Sequence, residues 1–452
     1  MSATIGCSPS SFPQTYLGLP LSPWKLRAAD FQPSVDTFDR YLTGWKAKLL
    51  NSGGHVVLAN AVLSSLPIYH MSSILLPKGV RCLLDARHRA FLWTGDSHCN
   101  GSQCLLSWDQ VCTAKELGGL GVKNFEDVNH CLLMKFVHKL LGPSLPPWKR
   151  WFLYHSTDLV SDSYLGQLVR AELPRFRSIT VVTVGDDSQT SFWHDCWLLG
   201  DTLASAFPAL YSHCIRPGVT VATFCSSEQA ALFRPRLSAA ATAEYQMLRD
   251  CLAPLQLRDL PDMRRLANTP HDVFTSRGAY RTLHPVATNS TDFMYIWKMK
   301  LPNKVKFFGW LLFLGRLNTR THLHHRNLRG REESNCKLCH TQLETDAHIF
   351  VECPRARDVW LRFGHLPLPG QHRTPWALGR ELPLPDQARP NVMLLLLWHI
   401  WKARNALIFN RDNLSTMDVL RRVLHDLEIW RCRYGRLSLY IDLWKDWIRP
   451  KL

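Results

Sequence analysis

The sequence predicts a mainly α-helical protein carrying one small β-hairpin element, with a small metal-knuckle α module and a helical tail near its end. Three observations lead there. Apolar residues recur at intervals of three and four through most of the chain, the spacing that lines one face of a helix. One β-branched run, Ile179-Thr180-Val181-Val182-Thr183-Val184, breaks that pattern. Cys336, Cys339, His348 and Cys353 follow a C-x2-C-x8-H-x4-C spacing.

Residues 1–15 carry no periodicity and read as a ragged N-terminus. Phe31, Val35, Phe38, Leu42, Trp45 and Leu49 predict a helix over 31–49, with Asp30 as its N-cap. Asn51-Ser52-Gly53-Gly54 reads as a break. Helices are predicted over 55–66, stopped by Pro67, over 79–93 and over 125–141, so that 16–142 forms one helical domain. Gly142-Pro143 and Pro146-Pro147 mark the boundary to a connector, 143–270. In it, the β-branched run, the turn Gly185-Asp186-Asp187-Ser188 and Thr190–Trp193 predict a β-hairpin near 178–197. Residues 200–270 otherwise show scattered helical signals. A third domain, 271–365, has short helices over 276–283, 293–300 and 304–314, then the cysteine motif, then a helix over 356–363. A proline-rich linker, 366–390, leads to a helical tail, 391–452, of two long segments. Its apolar run Val392–Trp401 is far shorter than the ~20 residues a membrane span requires and reads as a buried helix.

With 452 residues, 46% hydrophobic content and 17 tryptophans, the chain can bury real cores, which excludes wholesale disorder. Lys+Arg number 54 against 37 Asp+Glu, a net charge of +17 that favours polyanionic partners, nucleic acid above all. The 14 cysteines do not read as a disulfide framework, because their best cluster has metal-ligand spacing. No basic start followed by an apolar core marks a secretory signal. The expected location is the reducing interior, nucleus or cytoplasm.

The cysteine motif is the most specific feature. Two thiolates two residues apart fit a tight knuckle around one ion, and a later His and Cys close a tetrahedral shell. Zn²⁺ prefers such ligands, and a shell with all four places taken leaves no open position for water, so the expected site is structural. His340, next to Cys339, competes with His348 for the fourth place. Thr321-His322-Leu323-His324-His325 reads as part of a basic surface stretch rather than a metal site, and Cys99, Cys104 and Cys112 as ordinary cysteines. Beside the motif lie Lys298, Lys300, Lys304, Lys306, Arg316, Arg320, Arg326 and Arg329, interleaved with aromatics. Phe307, Phe308, Trp310 and Phe313 share a helix spacing that predicts core, which leaves Lys304, Lys306, Arg316 and Arg320 outside as candidate phosphate contacts. Lys46 and Lys48, with Arg87 and Arg89, form a second candidate contact region.

Several blocks, in order, resemble the C-terminal half of plant non-LTR (LINE-type) retrotransposon reverse transcriptases. They are Tyr16-Leu17-Gly18-Leu19-Pro20-Leu21, Trp45-Lys46, Ser65-Leu66-Pro67-Ile68-Tyr69, Leu76-Pro77-Lys78, Phe91-Leu92-Trp93-Thr94-Gly95, Gly118-Gly119-Leu120-Gly121 and Phe192-Trp193-His194-Asp195-Cys196-Trp197. The last block is Lys304-Val305-Lys306-Phe307-Phe308-Gly309-Trp310, Gly315-Arg316-Leu317, Glu344-Thr345 and the four ligands, with His348 in the fourth place. The resemblance covers most of 16–409. It implies that 16–142 is the end of a polymerase palm and a thumb-like domain, which holds a template–primer duplex by its backbone. It also implies that 271–365 is a reverse transcriptase zinc-binding domain. Trp401-Lys402-Ala403-Arg404-Asn405 resembles the stretch that precedes a ribonuclease H domain in some relatives.

The same resemblance argues against catalysis. The family's paired metal-binding aspartates lie before the Tyr-Leu-Gly block, where this chain has residues 1–15. Gly185-Asp186-Asp187 imitates a polymerase hairpin, but the family pattern there is a turn before Phe-Trp-x-Asp. The expectation is a non-catalytic fragment with structural zinc, binding RNA or an RNA–DNA duplex, with other retrotransposon proteins as further partners and neither a membrane nor a small-molecule substrate. The alternatives are a zinc-supported protein-interaction module and a part of an active RNA-directed DNA polymerase whose palm is supplied separately.

Overall fold

The structure, a computed structural model, describes residues 11–42, 49–156, 162–185, 189–255, 260–267, 273–285 and 292–452. Helices dominate it, with four short strands. Packing divides the chain into two compact units. One holds residues 1–32, 67–81 and 124–285; the other holds 33–66, 82–123 and 286–452.

In the first unit, β1 (Gln14–Tyr16) and β2 (Leu19–Leu21) pair antiparallel across a two-residue turn. Leu17 and Gly18 both have positive φ, at 50° and 81°. A twisted hairpin demands that conformation of both turn residues, and Asn or Gly usually supplies it. Leucine in that place hid the turn from pattern reading. Tyr69 holds the turn by donating its hydroxyl to Leu17 O at 2.5 Å.

The Phe125–Leu140 helix organises the rest of this unit. Asn124 caps it by accepting from the Glu126 and Asp127 amides. The Tyr164–Ser178 and Ser276–Leu283 helices pack on it around Cys131, Met134, Val137, Phe176, Phe274 and Ala279. Its buried Asn129 accepts from Leu76 N and donates to Met71 O and Ile74 O, pinning the 71–76 loop.

β3 (Thr180–Thr183) forms where the sequence predicts a strand, but its antiparallel partner is β4 (Met263–Leu266), not 190–193. The hairpin expected near 178–197 is therefore corrected. A strand would place Phe192 and Trp193 on opposite faces. Both are instead buried in one cluster with Phe224, Phe233 and Leu248. Asp195 forces the bend. Its buried carboxylate accepts from Ser191 N at 2.8 Å, from both terminal nitrogens of Arg264 at 2.9 Å and from Arg177 Nε at 3.1 Å. Burial alone would raise its pKa, but the Arg264 bonds and the two guanidinium charges hold it below the ordinary carboxylate range. Asp186 and Asp187 lie outside the described residues.

The core of the second unit is built on the Asn303–Phe313 helix, where Val305, Phe307, Phe308, Trp310, Leu311 and Leu312 are all buried. The Ser52–Ala61 helix lies against it at Gly53, where a Cβ would come within 2.5 Å of the Asn303–Lys304 backbone. Asn51 caps this helix by accepting from Gly54 N, so Ser52-Gly53-Gly54 is its first turn, not the break the sequence suggests. Trp310 Nε1 donates to Gly118 O at 2.8 Å. The Arg389–Asn405 helix packs on the same core; Gly309 makes room for Leu394. Helical structure from Arg389 to Asn410 is long and apolar enough to cross a membrane, yet Val392 through Leu397 are buried in this core. The proline-rich stretch adds Trp376, Leu378 and Leu382, and the Thr416–Ile429 and Ser438–Ile448 helices close the unit.

His88 sits fully buried in this unit, donating from Nε2 to Ala59 O at 3.1 Å, with Trp108 and Phe38 beside its ring. Burial pulls its pKa down to about 4. The folded chain thus holds His88 neutral, while the unfolded chain protonates it near pH 6.5. Its contribution is complete above that pH, declines as pH falls toward about 4 and levels off below. The change amounts to about 3 kcal/mol, at 1.36 kcal/mol per pKa unit. Replacing His88 with Gln, which keeps a donor, is expected to lessen the loss of denaturation midpoint between pH 7 and pH 4.5 relative to the wild type. Equal losses in both proteins would reject the assignment.

Candidate metal centre and basic surface

Residues 334–344 form a tight loop. Cys336 N donates to Gln342 O at 2.8 Å, His340 N donates to Cys336 O at 2.9 Å, and His340 turns the chain at φ 61°. This brings the two thiols of Cys336-Lys337-Leu338-Cys339 inward and leaves His340 exposed, away from the ligand set. His348 and Cys353 come from the next turn. Thr345 Oγ1 accepts from His348 N at 3.0 Å and starts it, and Cys353 N donates back to His348 O at 2.7 Å. That i→i+5 bond defines a π-helical turn over His348–Glu352. Residues five apart diverge on an α-helix of 3.6 residues per turn. The wider turn returns them to one face, which accounts for the x4 spacing.

The four donor atoms of Cys336, Cys339, His348 and Cys353 lie within 4.8 Å of one another. Tetrahedral zinc, with bonds of about 2.0–2.3 Å, fits that cluster. Gln342 Oε1 lies 3.0 Å from His348 Nδ1, so Nδ1–H donates and Nε2, 3.2 Å from Cys339 Sγ, is turned to the thiols as a ligand lone pair. Thr341 Oγ1 and Leu338 N donate to the Cys339 and Cys336 sulfurs. Cys353 is the N-cap of the Pro354–Phe363 helix.

The electrostatics call for a cation. Hydrogen bonding with Cys336, aided by the Arg355 and Ala356 amides, lowers the Cys353 pKa. Burial raises Cys339, but hydrogen bonds from Thr341 and His348 outweigh it and hold the thiol below its ordinary value. The Cys336 thiol is pushed up to about 12, first by its bond with Cys353 and then by burial. Two of the thiols are thus shifted toward the thiolate and the third is held protonated. A divalent ion would displace that proton and offset most of the charge of three thiolates.

A buried ion pair fastens this loop to the tail. Glu344, fully buried, accepts from Arg320 N at 2.9 Å and pairs with Arg404 of the Arg389–Asn405 helix. Arg404 also lies over the Trp401 ring at 4.8 Å. Sequence reading noted both residues in family blocks but could not pair positions 60 apart. The only signal was that both occur in blocks rich in core residues.

The candidate phosphate contacts lie in different settings. Arg316 is exposed. Lys304 is half-buried with Nζ 5.4 Å from the Trp430 ring centroid. Lys306 donates to Trp297 O at 2.9 Å, and its pKa falls to about 8 through burial and the charges of Lys115, Arg433 and Lys300. Arg320 is buried and its Nε donates to Glu333 O at 2.5 Å, so its charge turns inward. Lys46 and Lys48 lie outside the described residues. Lys115 adds a cation over Trp297, at 4.9 Å.

Residues 274–360 match the family model described as zinc-binding in reverse transcriptase. Over 460 aligned residues the chain is also 26% identical to a protein of Arabidopsis thaliana named "Putative ribonuclease H protein", with 94% of this chain and 71% of that protein covered.

Structural zinc in small peptides binds with about 10–16 kcal/mol, comparable to a domain's whole stability. Cys339→Ser is expected to abolish stoichiometric zinc and expose amides of residues 330–365 to hydrogen exchange. The helices packed around Phe176 and Phe274 should stay protected. A zinc-free wild-type protein by elemental analysis would refute the site. Glu344→Ala strands the buried Arg404 charge and is expected to cost about 3–5 kcal/mol, read as a lowered denaturation midpoint. Loss of under ~1 kcal/mol would show that the pair is not an anchor.

Proposed function

We propose that this chain derives from a LINE-type retrotransposon reverse transcriptase and acts without catalysis, as a zinc-stabilised protein that binds RNA or an RNA–DNA duplex. The observation that carries the nucleic-acid reading is the placement of Lys115 over Trp297, Lys304 over Trp430 and Lys306 against Trp297 O. Burial first, then the charges of Lys115, Arg433 and Lys300, lower the Lys306 pKa to about 8. Cations held together against their own repulsion are relieved by a polyanion, and Trp297 and Trp430 beside them offer faces for unpaired bases. The match to a zinc-binding region of reverse transcriptases supports the origin, and the ribonuclease H name of the Arabidopsis relative belongs to a nucleic-acid enzyme. The non-catalytic reading rests on the sequence context of Asp186-Asp187, a turn ahead of Phe192-Trp193-His194-Asp195 that suits such residues without a metal.

The expected behaviour is binding with modest sequence preference that falls steeply with salt. Replacing Lys304 and Lys306 with Ala should weaken all sequences about equally. It should also flatten the salt slope by roughly 1.4, at about 0.7 per phosphate contact on single strands. An electrophoretic shift at low salt reads both. No retention of RNA there would favour a protein-interaction role. Primer extension on an RNA template by the purified protein would overturn the non-catalytic reading.

A further inference from the structure

A second cationic feature lies in the same unit, away from the lysines. A cleft of about 660 Å³ is lined by Arg89, Arg316, Arg326 and His322, with Trp108, Gln110, Cys99 and Cys104 among the remaining wall residues, and no Asp or Glu among them. Arg89 belongs to the Lys78–Thr94 helix, and Arg316 and Arg326 flank the Arg320–His325 helix, so residues more than 220 positions apart supply one wall each.

Among the described residues, Arg89 and Arg316 have no carboxylate in ion-pair reach, and Arg326 donates only to the neutral carbonyls of Ser102 and Cys104. Several other arginines of this unit do pair with acids: Arg87 with Asp39, Arg329 with Glu333, Arg373 with Asp346 and Arg404 with Glu344. Two further polar atoms are buried without partners, Trp108 Nε1 and His322 Nε2. The indole can only donate. Burial, then the neighbouring Arg326, Arg316 and His325 charges, depress the His322 pKa against the opposing charge of Asp346.

We propose that this cleft is a phosphodiester-binding site that seats the backbone of a single nucleic-acid strand, with Arg89, Arg316 and Arg326 as its cationic walls. A guanidinium offers a planar fork of donors matched to phosphate oxygens, and the cleft presents three with no internal competitor. Trp108 gives an adjoining base a ring to stack on. The site deepens the nucleic-acid reading above and rests on it. It also places Arg89, from the region read as a thumb, with Arg316, from the zinc-binding region.

Cys99 and Cys104, with sulfurs 3.7 Å apart, line the cleft and report its occupancy. The full-length zinc-loaded protein is treated with N-ethylmaleimide, with and without a short mixed-sequence single-stranded RNA, and alkylation is read peptide by peptide. Cys251, in the first unit, is the internal reference. RNA is expected to slow alkylation of Cys99 and Cys104 at least fivefold and leave Cys251 unchanged. An Arg89→Glu, Arg316→Glu variant with unaltered zinc content should lose the protection and bind RNA at least tenfold more weakly, and the matching double Lys variant should retain most of both. RNA bound with no protection of the two cysteines overturns the cleft and leaves the general reading standing. No RNA binding at low salt removes both. If the Glu variant fails to fold, protection in the wild type and its retention in the Lys variant decide.

Discussion

The buried carboxylate of Glu344 is the point on which the metal-binding half of this protein turns. It receives the Arg320 amide and the Arg404 guanidinium at once. One residue of the metal loop thereby holds the start of the Arg320–His325 helix and the end of the long apolar Arg389–Asn405 helix. Loop and helix then share a core in which Cys336, Ile349, Phe350 and Cys353 contact residues drawn from both. A buried charge pair of this kind adds little net stability over an apolar pair of the same shape, but is costly to break, so its effect is to exclude other arrangements of the loop.

Metal and ion pair act on the same segment by different physics. An ion bound by Cys336, Cys339, His348 and Cys353 would draw together four side chains over a span too short to bury them by itself. The ion pair and the aromatic packing around Phe308, Phe350 and Trp401 attach that knuckle to a large hydrophobic body. The knuckle is thus a part of a wider core, and this accounts for why its neighbours Ile349, Phe350 and Val351 are apolar on successive positions. In the first unit Asp195 has the corresponding part, since Arg264 ties the 191–196 bend to β4 and Arg177 ties it to the end of the Tyr164–Ser178 helix.

Charge is distributed with the same logic. Arginines inside the fold are matched to acids or carbonyls, as Arg320 is to Glu333 O. Two groups of cations stand beside tryptophans, the lysines at Trp297 and Trp430 and the arginines at Trp108.

The sequence by itself determined the elements whose causes are local. Helical periodicity placed the helices at 276–283 and near 79–93, 125–141 and 304–314 to within a few residues, because each has an apolar stripe and a recognisable cap or stop. It also singled out Cys336, Cys339, His348 and Cys353 as candidate metal ligands, and the structure gathers their donor atoms within 4.8 Å of one another. Where one side chain decides a backbone conformation, pattern failed: Leu17 occupies a left-handed turn position, and Asn51 turns a glycine-rich break into a helix start. Only the tertiary structure decided that β3 pairs with residues 263–266, because Asp195 is matched by arginines that no local rule connects to it. It alone brought residues 33–66 and 82–123 into one unit with 286–452, closed Glu344 on Arg404 and set Arg89 across a cleft from Arg316. Such pairings depend on which buried charges and apolar faces find each other across long stretches of chain, and that free energy has no signature at either position alone.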